Sequence, residues 1–187
     1  MAETARLFIG IELDDAWSDG LSAVADEIRA VVGDAGRWVQ PSLYHVTVVF
    51  LGEQSAKNTE LSIQALRTAA ESSPPFTLHL TEVQRLGGHE HGALVAGVAD
   101  PSGGLLRLRA WLNDELRFHK IKYDSKPLVP HITLARPRRR AAPLSLTPYD
   151  LGEAPPLRVR TVSMIKSLLL PAGPKYLSLM KIGLEGQ

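Results

Sequence analysis

Two short stretches carry the residues best suited to chemistry. His45-Val46-Thr47-Val48 and His131-Ile132-Thr133-Leu134 repeat one pattern, His, apolar, Thr, apolar, with the histidines 86 positions apart. Each lies inside an apolar, β-branched run that reads as a strand, where successive side chains face opposite ways. His45 therefore shares a face with Thr47, and His131 with Thr133, while the apolar partners anchor the backbone. One such tetrapeptide is a weak signal, because strand histidines are commonly solvated or hydrogen-bonded. Two copies placed side by side about a pseudo-twofold axis bring two imidazoles and two hydroxyls into one small volume, an arrangement suited to in-line displacement at phosphorus.

The residue types narrow the reaction. Opening a cyclic phosphodiester takes a base that deprotonates water on one side of phosphorus and an acid that protonates the departing ribose oxygen on the other. Histidine, with an ordinary pKa of about 6.5, serves in either role near neutral pH. The threonine hydroxyls can donate to non-bridging oxygens, and a β-branched side chain holds its rotamer stiffly. This arrangement requires neither a metal nor a cofactor.

The elements that position these motifs can be read along the chain. Arg6 to Leu13 is a strand ending at Asp14-Asp15, followed by a helix from Ala16 to Val32 whose inner stripe is Leu21, Val24, Ala25, Ile28 and Val32. Tyr44 to Leu51 is a strand, Ser55 to Ala70 a helix, and Phe76 to Leu86 with Ala93 to Val98 a hairpin. Pro101 opens a third helix, to His119, burying Leu105, Leu108, Trp111, Leu112 and Leu116. The strand Val129 to Arg136 follows, then a Pro- and Arg-rich linker over 137–156. Strands Leu157 to Leu170 and Tyr176 to Leu184 form a last hairpin around Pro171-Ala172-Gly173-Pro174. The predicted class is α+β with mostly antiparallel pairing.

The 187 residues, 44% hydrophobic and 22% charged, suit one compact unit, residues 1–187. With no cysteine, disulfides, thiolate nucleophiles, Cys-ligated zinc and iron–sulfur clusters are excluded. There is no signal-peptide pattern at Met1-Ala2-Glu3-Thr4 and no apolar run long enough to span a bilayer, so the expectation is a cytoplasmic chain without membrane contact. Residues 1–93 carry 6 Lys/Arg against 13 Asp/Glu, net −7; residues 94–187 carry 15 against 7, net +8. Either the second half presents one positive wall to a polyanion, or folding interleaves the halves and no wall exists.

The motifs together resemble the two-histidine (2H) phosphoesterase superfamily, and within it the RNA 2',3'-cyclic phosphodiesterases first described as 2'-5' RNA ligases. The resemblance runs from Arg6 to Leu184. It rests on Arg6-Leu7-Phe8-Ile9-Gly10-Ile11-Glu12-Leu13, Arg37-Trp38-Val39, His45 through Gly52, Pro130-His131-Ile132-Thr133-Leu134-Ala135-Arg136, and Gly173-Pro174-Lys175-Tyr176. It implies a bilobal fold of two pseudo-symmetric halves flanking a central cleft, with helices outside. It also implies His45 as proton donor, His131 as proton acceptor, Thr47 and Thr133 on the phosphate, and RNA ending in a 2'-phosphate as product. The partner is then RNA with a 2',3'-cyclic phosphate end, acted on by a monomer. Val49 departs from the family, whose members often have a basic residue there.

Arg136 matches the family pattern and suits phosphate binding through its planar fork of donors. Its strand parity is opposite to that of His131, so it reaches the cleft only if the strand bends or ends there; otherwise it joins a solvent-facing cluster, Arg136–Arg140. Trp38 and Tyr176 fit either a base-stacking surface or the core. His89-Glu90-His91 reads as a hairpin loop rather than a metal-ligand pair, and His79 and His119 have no partner pattern. Two rival functions remain. One is 2'-5' RNA ligation on tRNA-half-like fragments, the reverse of 2'-5' bond cleavage and served by the same histidines. The other is RNA binding without catalysis. Small cyclic nucleotides such as ADP-ribose cyclic phosphate are also open as substrates.

Overall fold

The structure, a computed structural model, describes residues 4–33, 36–88, 92–138, 148–151, 154–171 and 173–186. The chain runs β1 (Thr4–Glu12), α1 (Asp15–Val32), β2 (Gly36–Trp38), a 3-10 turn (Pro41–Leu43), β3 (His45–Ser55), α2 (Ala56–Glu71), β4 (Phe76–Leu86), β5 (Ala93–Ala99) and α3 (Gly104–Phe118). It continues through β6 (His131–Pro137), β7 (Tyr149–Asp150), β8 (Leu157–Val159), β9 (Thr161–Leu170) and β10 (Gly173–Gly183).

Strands fall into two antiparallel sheets. The first has the order β10-β9-β1-β3; the second has β2-β6-β5-β4-β7, with β8 also on β4. The class is α+β, as the period-2 and period-3.6 stretches imply. Helix starts follow their caps. The Asp14 side chain accepts from the Trp17 N–H at 2.9 Å and Ser55 Oγ from the Asn58 N–H at 3.2 Å. Most of the predicted stripe residues are buried: Leu21, Ala25 and Ile28 from α1, Leu66 and Ala69 from α2, and Leu105, Leu108, Leu112 and Leu116 from α3, joined by Trp17, which the α1 stripe did not include; Val24, Val32 and Trp111 are only half-buried. All of the buried ones except Ala25 join one apolar cluster with the inner faces of both sheets. Burying each such leucine contributes about 1.5–3 kcal/mol. Among the described residues no helix is long and apolar enough to cross a membrane.

Several expectations change. Leu157 to Leu170 is two strands: Leu157–Val159 pairs with β4, and after Arg160 the chain crosses to pair with β1. An apolar run cannot reveal a change of sheet, because both destinations bury apolar residues. The predicted helix at Pro101 begins at Gly104, because Gly103 adopts φ +69°, which is non-helical; the Asp100 carboxylate then accepts from Gly104 N–H at 3.1 Å and Leu105 N–H at 2.8 Å. A Cβ added to Gly104 would lie 2.4 Å from the Phe76 side chain, so α3 approaches β4 unusually closely here. β3 extends to Ser55, β6 begins at His131 rather than Val129, and β10 at Gly173 rather than Tyr176. The predicted linker 137–156 contains β7 and offers the Pro155 carbonyl to Trp17 Nε1 at 2.6 Å. Residues 94–187 supply strands to both sheets, so the two halves of the sequence interleave in the fold.

Candidate active site

β3 is the outer strand of the first sheet, and β6 lies between β2 and β5 in the second. The two motif strands are not ladder partners; they approach each other where the sheets meet. Each carries the same pattern of exposure. His45 and Thr47 are half-buried between fully buried Val46 and Val48, and His131 and Thr133 between fully buried Ile132 and Leu134. The alternation then breaks identically in both: Val49 and Ala135 are buried as well, and Phe50 and Arg136 are exposed.

A pair of β-bulges explains the break. Opposite β3, Ile9 faces Val49 and Gly10 faces Thr47, leaving Val48 without a partner. Opposite β6, Leu94 faces Ala135 and Val95 faces Thr133, leaving Leu134 without one. An extra residue resets the period-2 alternation, so the fifth residue after each histidine returns to the histidine's own face. Arg136 therefore stands on the His131 side, where strict parity denied it. Arg139 and Arg140 of the expected surface cluster lie outside the described residues.

Both histidines are held alike. His45 Nδ1 is 2.7 Å from the carbonyl oxygen of Leu43, and His131 Nδ1 is 2.6 Å from that of Val129. A carbonyl only accepts, so each Nδ1 carries the proton and donates it. Each Nε2 is then left to accept a proton when the ring is neutral, or to donate one when it is charged. The imidazole of His45 is pushed below the ordinary histidine range, chiefly by burial and further by the positive charges of His131 and Arg136, while the Leu43 carbonyl works the other way. That coupling also shows that the first motif, the second motif and Arg136 share one neighbourhood.

Tyr176 joins them from β10. Its ring meets that of His45 edge-on, with centroids 5.3 Å apart, and that of Phe8 at 5.1 Å, while Phe8 lies 4.8 Å from His45. Burial raises the Tyr176 hydroxyl pKa, and the charges of Arg136 and Arg6 oppose that rise. Tyr176 is thus half-buried beside the first histidine rather than in the core. Trp38, on β2, faces Ala135 and packs partly against the core. His79 is exposed on β4 and His119 ends α3, both away from the motifs in sequence and element; His89-Glu90-His91 lies outside the described residues. Among the described residues no three His, Asp or Glu side chains converge as metal ligands.

Phe50 was missed by sequence reasoning. It is the first-motif counterpart of Arg136, 46% exposed, with its ring 6.0 Å from that of Phe8. A groove of about 440 Å³ begins at this residue and continues along β3 to Gln54, opposite Lys122–Asp124. Aligning the two tetrapeptides over six residues instead of four would have found Phe50, because its partner in the second copy is the arginine already singled out.

Residues 17–168 match the family model described as the 2'-5' RNA ligase superfamily. An Escherichia coli protein named RNA 2',3'-cyclic phosphodiesterase is 32% identical over 137 residues, spanning 73% of this chain and 74% of its own. A Thermus thermophilus protein of the same name is 28% identical over 190 residues, covering 97% of this chain and 91% of its own. In three dimensions the chain is similar to a crystal structure of a Thermus thermophilus protein, with a TM-score of 0.85 and 25% identity over 97% of this chain and 99% of that one. It is also similar to E. coli LigT crystallised with 3'-AMP, with a TM-score of 0.72 and 25% identity over 97% of this chain and 99% of that one.

Proposed function

The chain belongs to the 2'-5' RNA ligase superfamily, and from that premise we propose that it hydrolyses 2',3'-cyclic phosphate ends of RNA to 2'-phosphate ends. The observation that carries this reading is the matched anchoring of the two imidazoles, each with Nδ1 committed to a carbonyl two residues back and Nε2 free to exchange a proton.

On this reading His131 Nε2 takes the proton of a water as its oxygen attacks phosphorus. The bond from phosphorus to O3' breaks, and His45 Nε2 delivers a proton to O3', leaving a 3'-hydroxyl and a 2'-phosphate. Thr47 and Thr133 donate to the non-bridging oxygens, and Arg136 adds its paired donors as charge builds there. The positive neighbours that disfavour a charged His45 in the free chain are offset once a phosphate anion lies among them, so substrate binding itself prepares the acid. Tyr176, packed on His45, keeps that ring oriented and offers a face to the terminal nucleoside. The names of the relatives support the substrate class. The whole chain, residues 1–187, works as one unit on cytoplasmic RNA ends, without a metal.

The test is incubation of the full chain with an oligonucleotide ending in a 2',3'-cyclic phosphate, in EDTA, with the product assigned as 2'- or 3'-phosphate. A 2'-phosphate is expected. A 3'-phosphate reverses the leaving group, and turnover that is lost in EDTA and restored by zinc or manganese replaces the two-histidine mechanism.

A further inference from the structure

Arg109 is an unusual residue for the inner face of a helix. It sits in the stripe formed by Leu105, Leu108, Leu112 and Leu116 of α3 and is only 9% exposed. Its guanidinium donates to three main-chain carbonyls: that of Val48, that of Asp124 at 3.0 Å and that of Lys126 at 2.7 Å. Val48 is the bulged residue of the first motif strand. Asp124 and Lys126 belong to the irregular segment that leads from α3 to His131.

The second motif shows what this contact replaces. There the bulged residue is Leu134, and its carbonyl accepts from the N–H of Val39, just beyond β2, at 2.8 Å. Arg37 of β2 faces Arg136, and correspondingly the Asp124 N–H donates to the carbonyl of Phe50 at 2.8 Å. The segment 124–126 thus covers the outer edge of β3 much as 37–39 covers β6. Two residues on, the match fails. Val39 turns its N–H to the bulge, whereas Lys126 turns its N–H to the Asp124 carboxylate at 3.1 Å. The bulge at Val48 has lost the main-chain donor that its counterpart keeps, and Arg109 reaches in from the helix to supply one.

We propose that Arg109 is a positioning residue for the first motif, holding the Val48 bulge that returns Phe50 to the face of His45 and Thr47 and tying it to the segment that delivers His131. This inference rests on the function proposed above, and it acts through backbone: Arg109 touches no reacting atom. The planar fork donates from two separated nitrogens, Nη1 to Val48 and Nη2 to Asp124 and Lys126, a spacing that the three donors of a single ammonium nitrogen do not reproduce. Buried carbonyls left without donors carry their full desolvation penalty, so the bulge and the segment relax when the fork is removed.

The test compares full-length Arg109→Lys, Arg109→Met and Arg109→Ala. With a cyclic-phosphate oligonucleotide, Arg109→Met is expected to lose about 10²-fold in kcat, the scale of an ångström-sized misplacement, with KM nearly unchanged. Arg109→Lys should recover part of that loss, and added guanidinium at non-denaturing concentration should partly rescue Arg109→Ala. The pKa of His45, followed by nuclear magnetic resonance, should rise toward the ordinary histidine value as water enters. A folded Arg109→Met chain with unchanged kcat and unchanged His45 titration overturns the proposal. If Met and Ala variants do not fold, Arg109→Lys decides by the same two readouts. If the unaltered chain does not open cyclic phosphates, the functional reading falls by itself, and positioning is then judged from hydrogen exchange at the amides of residues 47–50 in Arg109→Lys. Faster exchange there supports the clamp, and unchanged exchange refutes it.

Discussion

The roles of the two histidines can be separated by a substrate in which sulfur replaces the bridging 3' oxygen. Both rings are anchored in the same way, through Nδ1 to the carbonyl two residues earlier, so anchoring alone treats them as equals. The leaving group breaks the tie, because a thiolate departs without being protonated. With the oxygen substrate, His45→Ala and His131→Ala should each lose on the order of 10²–10⁴, or about 2.7–5.4 kcal/mol of transition-state stabilisation. Burial, His131 and Arg136 hold the His45 pKa below its ordinary value. Its protonated fraction therefore grows as pH falls, and the measured loss in kcat/KM for His45→Ala should deepen toward acid pH. With the sulfur substrate His45→Ala should be largely restored, and in the unaltered chain the decline of kcat/KM above the optimum should disappear, since no acid is then needed. His131→Ala should stay impaired, because water must still be activated. The assay is steady-state release of thiol across a pH series. Rescue of His131→Ala with His45→Ala left inactive would reverse the assignment, and equal failure of both would remove acid–base catalysis from the reading.

Arg136→Gln should lower kcat/KM by roughly 10- to 150-fold, the value of hydrogen bonds to a charged group. It should also raise the His45 pKa in the free chain by removing one positive neighbour, and an unmoved His45 titration would show that Arg136 points elsewhere. Asp100→Ala removes the acceptor for two N–H groups at the start of α3 and should cost about 0.5–2 kcal/mol in urea unfolding. Gly104→Ala normally favours a helix, yet the 2.4 Å approach to Phe76 should make it destabilising by about 1–3 kcal/mol. A raised melting temperature would show that β4 yields at that point.

The histidine–threonine pairs, the helices and the antiparallel class were legible because each depends on periodicity within a few residues of sequence. The position of Arg136 was not, since a bulge changes the face of every later residue while its trace, the successive apolar pairs Val48-Val49 and Leu134-Ala135, reads equally well as an unbroken buried strand. The change of sheet at Arg160 was hidden for a related reason: Leu157–Val159 and Val162–Ile165 both read as half-buried strand, and only the partner differs. β2 is three residues long, too short for a periodic signal. Arg109 did leave a trace, a charged residue in an apolar helical stripe, but its partners are carbonyls, and carbonyls have no sequence signature.

The edges of the two motif strands have a bearing on how this molecule could have arisen and how it can be dismantled. The stretch just before His45 closes the side of the His131 strand, and the stretch just before His131 closes the side of the His45 strand. This is an exchange of arms within one chain. If the repeat began as two copies of an ancestral half, each copy would have had to trade its arm with a twin, and covalent fusion would have made the trade permanent. Cutting the chain between α2 and β4 would therefore leave each motif strand with an uncovered edge and a displaced arm, and would also part β1 from β9 and β10. Mixed together, such fragments should regain a working cleft only as a pair.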